Sequence, residues 1–486
     1  MNTLYYGDNL TVLREHLKDA SVDLVYLDPP FNSGRDYNAC FKGTEAEGQT
    51  AQIKAFTDTW SWDTVAARAY DATVKIGDKV SDILKAFKVV LGEGQMLAYL
   101  SMMAPRLVEL HRVMKDTASI YLHCDPTASH YLKMLMDVVF GRGNFRREIV
   151  WANNTASGFK TKTRNWVRGH DILLYYMKDA EPVFNQEFLP YDDRTIHRYD
   201  KKDEQGRPYK IYREEGKERR AYLDLAKGRL VSSVWGDITD FQTVNNTGER
   251  LGYPTQKPLA LLKRIISASS NPGDTILDPF CGCGTAIDAA QELGRKWIGI
   301  DITHLAIGVI KKRLADAHSL ETKKDYTVIG EPADLAGAQE LAKQDRHQFQ
   351  TWALGLVDAR ETSSHKGGDR GVDGVKVFDD GKVKCLISVK SGTINPGVIR
   401  DLRGTMDRDK APLGLLITLE EPSGGMTREA LAAGFWEPDD VTAVLDDAKI
   451  PCIQIATIEE LLAGQHPQWS NLADNRTFKR AKRRTT

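Results

Sequence analysis

The sequence lacks any run of 18 consecutive apolar residues, which a membrane-spanning helix would need. Its start, Met1-Asn-Thr-Leu-Tyr-Tyr-Gly-Asp8, also lacks the basic and then apolar layout of a secretory signal peptide. We therefore expect a cytoplasmic protein that makes no membrane contact. No internal repeat occurs, and the length of 486 residues predicts about three globular units.

Cysteine is scarce, and its spacing is irregular. The six cysteines lie at positions 40, 124, 281, 283, 385 and 452, which fits neither a disulfide framework nor the paired C-x-x-C ligands of a zinc site. Cys281 and Cys283 form only a C-x-C inside a Gly-rich turn. We interpret them as small residues that line this turn rather than as metal ligands.

Net charge is also nearly absent, at −1, but the basic residues are unevenly distributed. Between residues 141 and 170 aromatic residues alternate with seven basic residues and one acid, Glu148. Such a track suits a phosphate backbone and unstacked bases, although a solvated basic surface has the same composition. The side chains that we expect to contact DNA are Arg146, Arg147, Lys160, Lys162, Arg164 and Arg168.

Apolar runs and helical periodicity divide the chain into parts. Val22–Leu27 and Ala118–His123 predict buried strands, and an alternation of helices and strands resumes at Leu259. Residues 151–252 are irregular and charged, so we interpret them as an inserted recognition region between two parts of one sheet, 1–150 and 253–331. A helix that begins at Asp334 predicts a further domain over 334–464, followed by a basic tail over 465–486.

One Gly-rich segment has the context of a cofactor-binding loop. Asp278-Pro-Phe-Cys-Gly-Cys-Gly-Thr285 follows a predicted strand and precedes a predicted helix, so its glycines would allow backbone amides to approach a ligand. A simple tight turn would look the same. Asp301 ends the next strand, where an acid can hold the ribose hydroxyls of an adenosyl group.

A second segment, Asp28-Pro-Pro-Phe31, also follows a buried strand. Its residue types suit a flipped base whose exocyclic amine attacks a methyl group. Asp28 and the Pro29 carbonyl would accept the two N–H groups of the amine and so free its conjugated lone pair, and Phe31 would stack on the base. A strand-ending turn remains the alternative for these four residues taken alone.

Together these motifs resemble the β-group DNA amino-methyltransferases over residues 1–331. The resemblance rests on their order, with Asp28-Pro-Pro-Phe-Asn-Ser-Gly34 first, Tyr253-Pro-Thr-Gln-Lys-Pro-Leu259 later and Asp278–Thr285 last. It implies S-adenosylmethionine as cofactor, double-stranded DNA as partner and residues 151–251 as the reader of the DNA sequence. An aspartate at the first catalytic position favours adenine N6 over cytosine N4.

The same resemblance assigns residues to two sites. The catalytic residues would be Asp28, Pro29, Pro30 and Phe31. The cofactor-binding residues would be Asp8, Thr255, Gln256, Lys257, Pro258, Asp278, Pro279, Phe280, Cys281, Gly282, Gly284, Thr285 and Asp301.

The C-terminal part predicts a hairpin, with strands over Val375–Phe378 and Val383–Lys390. Asp373 precedes it, and period two places Ser388 and Lys390 on one face. This part resembles Mrr-type restriction-endonuclease-like domains, in which an Asp, an acidic residue or Gln, and a Lys hold a metal. The chain departs from that pattern at Ser388, which leaves Asp373 as the clear acid for Mg²⁺; Glu361 and Asp369 would have to compensate.

The expected fold is therefore α/β. A doubly wound, Rossmann-like methyltransferase sheet with circularly permuted motif order and an inserted recognition region precedes a smaller α/β restriction-endonuclease-like domain. The expected activity is DNA methylation within restriction-modification or a related defence role. The sequence leaves several alternatives open. The target could be cytosine N4 or RNA, and the protein could also cleave DNA or be a DNA-binding sensor without turnover. A homodimer and a separate restriction subunit are equally open.

Overall fold

The computed structural model describes residues 1–30, 35–41, 51–58, 61–152, 164–241, 249–253, 255–362, 372–378, 383–437, 449–469, 472, 474–475 and 481–483. Within these residues no helix combines the length and apolar character that crossing a membrane requires.

The strands are numbered in chain order. They are β1 (Asn2–Tyr6), β2 (Val22–Leu27), β3 (Arg35–Phe41), β4 (Ala51–Asp58), β5 (Met114–Cys124), β6 (Phe145–Ala152), β7 (His170–Met177), β8 (Phe188–Leu189), β9 (Lys201–Lys202), β10 (Pro208–Glu214), β11 (Lys217–Tyr222), β12 (Arg229–Leu230), β13 (Val234–Trp235), β14 (Thr275–Asp278), β15 (Lys296–Asp301), β16 (Tyr326–Ile329), β17 (Arg360–Glu361), β18 (Gly374–Phe378), β19 (Val383–Lys390), β20 (Leu413–Thr418), β21 (Phe435–Trp436), β22 (Ile450–Pro451), β23 (Ile453–Thr457) and β24 (Asp474–Asn475).

The α-helices are numbered likewise. They are α1 (Asn9–His16), α2 (Thr64–Val74), α3 (Lys79–Leu91), α4 (Gln95–Val113), α5 (Pro126–Met136), α6 (Asp193–Ile196), α7 (Leu259–Ser269), α8 (Thr285–Glu292), α9 (His304–His318), α10 (Leu335–Gln344), α11 (Arg346–Leu356), α12 (Pro396–Asp409), α13 (Gly424–Leu431) and α14 (Ile458–Leu462).

A nine-stranded mixed sheet forms the centre of the N-terminal part, in the order β13-β6-β7-β5-β2-β14-β15-β1-β16. Each pair of adjacent strands from β5 to β16 in this order is parallel, whereas β7 is antiparallel to both β5 and β6. Strand β2 lies directly beside β14, although the predicted insertion separates them in the chain. The sheet is therefore built from both sides of the insertion, and the predicted α/β fold with permuted motif order is confirmed.

Apolar burial on both faces explains why these segments form a parallel sheet. In β2 only Asp23 is not fully buried, and Asp23 accepts hydrogen bonds from Lys115 Nζ and from the backbone of Thr275. Helix α4 packs against one face through ten buried residues and carries Arg106 within this apolar segment. Because parallel strands share one direction, their carboxyl ends meet at one edge of the sheet.

Part of the predicted insertion contributes strands to the central sheet. Strands β7 and β13 lie between residues 151 and 252, yet both belong to the central sheet. The sequence His170–Met177 is a short apolar strand that is almost entirely buried. Its charged surroundings concealed this strand, so the inserted part of the chain is mainly residues 178–233, with the small sheets β11-β10-β9 and β12-β8.

The C-terminal part has a second sheet, in the order β17-β18-β19-β20-β23. The predicted hairpin is present as the antiparallel pair β18 and β19. The single helix expected after Asp334 is instead two helices, because Asp345 ends α10 and its side chain caps α11. The predicted basic tail also has structure, since β24 pairs with β18 and Leu472 is buried.

Candidate active site

Four neighbouring strands of the central sheet carry an aspartate at or just after their carboxyl ends. In the order β2, β14, β15 and β1, these residues are Asp28, Asp278, Asp301 and Asp8. The loops that carry them are joined to one another. The Gly7 amide donates to the Asp301 carbonyl at 2.9 Å, and Asn9 Nδ2 donates to the Pro279 carbonyl at 2.7 Å.

Asp301 organises the Gly-rich loop. Its carboxylate accepts hydrogen bonds from the Gly282 amide, the Thr303 amide and Thr303 Oγ1, each at 2.9 Å. Burial raises the pKa of Asp301 above its usual range despite these donors. A carboxylate has about four acceptor positions, so these three donors leave Asp301 with capacity for a further hydrogen bond.

The loop itself has the strained backbone that a close approach to a ligand needs. Gly282 and Gly284 adopt φ of +49° and +75°, a region that favours glycine. Burial raises the pKa of the Cys281 and Cys283 thiols, which agrees with turn-lining residues. Arg313 Nη1 donates to the Cys283 carbonyl at 2.7 Å and to Thr285 Oγ1 at 3.1 Å, so the Thr285 hydroxyl already has a partner from helix α9.

Asp8 and Asp278 are held differently. Asp8 accepts from the Thr11 amide as the N-cap of α1 and forms an ion pair with Arg106. Asp278 is buried and accepts from the Phe280 amide at 3.1 Å. Burial, with the nearby charges of Asp28 and Asp301, raises the pKa of Asp278 well above its usual range, which favours its neutral form.

Asp28 directly follows β2 and has a cationic partner. Lys257 Nζ donates to Asp28 Oδ2 and also to the Thr255 carbonyl at 3.4 Å. Lys257, which the sequence assigns to the cofactor site, therefore contacts the proposed catalytic carboxylate. Pro29 is buried and Pro30 is half-buried, while Phe31 lies outside the described residues.

The segment before α7 is fastened by its own side chains. Gln256 accepts from the Leu251 amide and donates to the Glu249 carbonyl, at 2.8 and 2.9 Å. Thr255 has φ of +59°, and Pro258 is the N-cap residue of α7. These contacts place Lys257 on Asp28 and make Gln256 a support for the loop.

The expected DNA-contacting residues are not all in one place. Arg146 and Arg147 are exposed and lie at the start of β6. Because β6 runs in the same direction as β5, its start is at the edge of the sheet opposite to Asp28. Their assignment as DNA-contacting residues stays a prediction, and it would place part of the DNA interface away from Asp28. Arg164 is exposed, Arg168 forms ion pairs with Asp125 and Asp171, and Lys160 and Lys162 lie outside the described residues.

The sequence missed several side chains of this site. Arg106 and His123 are polar residues in largely buried apolar segments, which is a signal that could have identified them. His123 is fully buried and lies 3.9 Å from Asp28 Oδ1, measured from Nδ1. Asp171, on the other side of His123, lies on the strand that the sequence did not predict.

The C-terminal part brings the predicted nuclease-like residues together. Asp373 Oδ2 accepts from the Val389 amide at 2.6 Å and from Ser388 Oγ at 3.2 Å, and lies 3.7 Å from Lys390 Nζ. Glu361 is on the neighbouring strand, and burial, with the nearby Asp373 charge, raises its pKa. Asp369 lies outside the described residues, and within them no three His, Cys, Asp or Glu side chains cluster as metal ligands.

Residues 22–312, well over half of the chain, match the family model described as DNA methylase, and residues 341–434 match a model described as restriction endonuclease. The chain belongs to the DNA methylase family, and its N-terminal part is an S-adenosylmethionine-dependent DNA methyltransferase.

Three curated proteins illustrate this relationship. The type II methyltransferase M.EcaI of Enterobacter cloacae is 29% identical over 65% of this chain and 69% of its own length. The DNA adenine methyltransferase YhdJ of Escherichia coli K12 is 26% identical over 66% of this chain and 85% of its own length. The type II methyltransferase M.HpaI of Haemophilus parainfluenzae is 29% identical, with coverages of 62% and 70%.

Proposed function

We propose that this enzyme methylates adenine N6 in double-stranded DNA, within restriction-modification or a related defence role. The observation that carries the proposal is the position of Asp28. It directly follows β2, which lies beside the strand that leads into the Asp278 loop. The Asp301 and Asp8 loops meet at the same edge of the sheet. The name of YhdJ as an adenine methyltransferase supports the choice of base.

The residues at this edge fit an adenosyl cofactor. Asp301 keeps acceptor capacity for a ribose hydroxyl, Asp8 offers a carboxylate for the adenine amine, and the glycines leave the loop backbone accessible. The cofactor supplies a methyl group on a positively charged sulfur. Burial raises the pKa of Asp278, which disfavours a further negative charge beside Asp28.

Asp28 would act on the target amine directly. Its carboxylate and the Pro29 carbonyl would accept the two N–H groups, which draws the lone pair out of conjugation with the ring. A bound cofactor would supply its methyl group to this nitrogen and leave as a neutral thioether, and the Asp28 carboxylate would accept the N–H proton that the nitrogen then loses. Lys257 neutralises Asp28 in the structure, so it would have to share the carboxylate with the incoming amine.

The test is methyl transfer from labelled S-adenosylmethionine to unmethylated bacterial genomic DNA, followed by identification of the labelled nucleoside. We expect N6-methyladenosine, and we expect Asp28→Ala to lower the rate by about 10²-fold or more while cofactor still binds. Asp116→Ala, which removes an aspartate with an exposed side chain from the same domain, is the matched control.

Other outcomes are equally informative. Labelled N4-methylcytosine would keep the mechanism and correct the base. No label in DNA, with cofactor binding intact, would contradict the proposal in favour of an RNA substrate or a sensor without turnover.

A second candidate activity concerns the C-terminal part, for which we propose Mg²⁺-dependent DNA cleavage. Mg²⁺ is commonly held by one or two carboxylates together with water and substrate phosphates. Asp373 directly precedes β18, Glu361 lies on the paired strand β17, and Lys390 is beside Asp373, which fits this requirement. We also propose that the protein acts as a homodimer or with a separate restriction subunit, which sedimentation of the purified protein would test.

A further inference from the structure

A fully buried histidine lies between two carboxylates beside the proposed catalytic residue. His123, near the end of β5, has Nδ1 3.0 Å from the Tyr26 hydroxyl and 3.9 Å from Asp28 Oδ1. On the other side of the ring, Nε2 is 3.5 Å from Asp171 Oδ2. The two ring nitrogens therefore face different strands, β2 and β7.

The contacts continue from Asp171 towards the surface. Arg168 Nη2 is 2.5 Å from Asp171 Oδ1, and Arg168 Nη1 is 3.2 Å from Asp125 Oδ2. About half of the Arg168 side chain is exposed, whereas His123 is entirely buried and Asp171 nearly so. A continuous line of polar side chains thus joins the surface segment before β7 to Asp28.

Charge explains why the ring is held in one orientation. Burial alone would raise the pKa of Asp171, but its contact with the His123 ring and the charge of Arg168 hold that pKa below its usual range. Asp171 is therefore ionised and lies 3.5 Å from Nε2. The Trp151 ring on β6 meets the imidazole edge-on, with centroids 5.8 Å apart, and limits its rotation.

We propose that His123 is a positioning residue that sets the orientation of Asp28, and that Asp171 and Arg168 hold its ring for this purpose. The proposal rests on the methyl-transfer function above and adds a support that spans β2, β5 and β7. A carboxylate displaced by about 1 Å can cost about 10²-fold in rate. The support therefore matters for turnover more than for binding.

The test compares His123→Asn and Asp171→Asn with the control variant Ser119→Ala. Ser119 is a buried polar residue on β5, the strand that carries His123. We expect His123→Asn to lower kcat by about 10- to 100-fold, with cofactor affinity and the KM for DNA changed by less than about twofold. Asp171→Asn should act in the same direction, and the double variant should be no slower than His123→Asn, because Asp171 acts through the ring.

A pH profile separates positioning from a merely structural role. The groups that face His123 are Tyr26, Asp28 and Asp171, and Lys257 faces Asp28. We expect the pH dependence of kcat to change shape in His123→Asn and to stay as in the wild type in Ser119→Ala. A folded His123→Asn protein with wild-type kcat and pH profile would overturn the proposal.

A readout that needs no turnover keeps the two proposals distinguishable. In protein with ¹⁵N-labelled histidine, we expect Asp28→Asn to shift the ring-nitrogen resonances that His123→Asn removes, and Asp116→Ala to leave them in place. Unshifted resonances would overturn the contact between His123 and Asp28. A shift in protein that transfers no methyl group would instead overturn only the proposed function.

Discussion

Gly284 illustrates how a single residue limits the cofactor loop. It ends the loop between β14 and α8 with φ of +75°, and a Cβ built on it would lie 2.7 Å from Ile310 Cγ1 on helix α9. Backbone conformation and space thus both exclude a side chain. Gly294, at the other end of α8, has φ of +71° but open space around its Cα.

This pair of glycines permits a matched comparison. We expect Gly284→Ala to lower the free energy of unfolding by about 2–4 kcal/mol and to weaken S-adenosylmethionine binding, because it adds a clash to left-handed backbone strain. Gly294→Ala should cost about 1–2 kcal/mol and leave cofactor affinity unchanged. Urea denaturation and calorimetric titration measure both effects, and equal losses in the two variants would contradict the role of Ile310.

Helix α9 connects the cofactor edge to the C-terminal domain. The ring of its first residue, His304, stacks on Tyr6 with centroids 3.7 Å apart, and Lys311 Nζ is 2.8 Å from Glu331 Oε2. Glu331 Oε1 also lies 3.7 Å from His304 Nδ1. Burial, with the Asp345, Glu331 and Asp301 charges, raises the pKa of Tyr6 to about 12, so this end of the helix keeps Tyr6 neutral.

The same helix contributes a pH-dependent term to stability. Burial alone would raise the pKa of Glu331, but His304 and Lys311 lower it below its usual range. Folding then favours the ionised form, so the stabilisation is present above the unfolded pKa of about 4.3 and is lost as the pH falls through the folded value.

We therefore expect Glu331→Gln to lower the free energy of unfolding by about 2 kcal/mol at pH 7. The difference from the wild type should shrink below about pH 4. Denaturation curves at pH 7, 5 and 3.5 test this, and a constant difference across that range would argue against an ionised Glu331.

At the scale of the whole molecule, the two parts of the chain pack on each other. Lys312 of α9 forms an ion pair with Asp358, and the His304 ring lies 6.5 Å from the Trp352 ring of α11. A cavity at this junction is lined by residues of both parts, among them Glu361 of the nuclease-like site. Methylation and any cleavage would therefore occur in one packed unit with separate sets of side chains.

Separate sets of side chains predict separable activities. We expect Mg²⁺-dependent breaks in unmodified DNA, a loss of about 10²-fold or more in Lys390→Ala, and unchanged methyl transfer in that variant. Arg400→Ala, with a largely exposed side chain on α12, is the control. Gel assays of DNA cleavage, run alongside the methylation assay, test whether the two activities are separable. If the wild-type protein leaves the DNA intact, the cleavage proposal is wrong and DNA binding is the remaining role for the C-terminal domain.

Local patterns in the amino-acid sequence were enough to establish the class of fold and the position of the key loops. Buried strands, Gly-rich turns and the helices after them are all local features, so the sequence alone places Asp28, Asp278 and Asp301 at strand ends. Parallel strands then require these ends to share one edge. The hairpin of the C-terminal domain follows from local alternation in the same way.

The side chains that meet at that edge were decided by the tertiary structure alone. Lys257 and Asp28 are 229 residues apart in the chain, and no local pattern relates them. Strand β7 was hidden because a short apolar strand among charged residues has little periodicity, and with it the Asp171 side of the His123 ring was hidden too. The tertiary structure also decided that Arg146 and Arg147 lie at the opposite edge of the sheet. Their position follows from the direction of β6, which depends on long-range strand pairing rather than on composition.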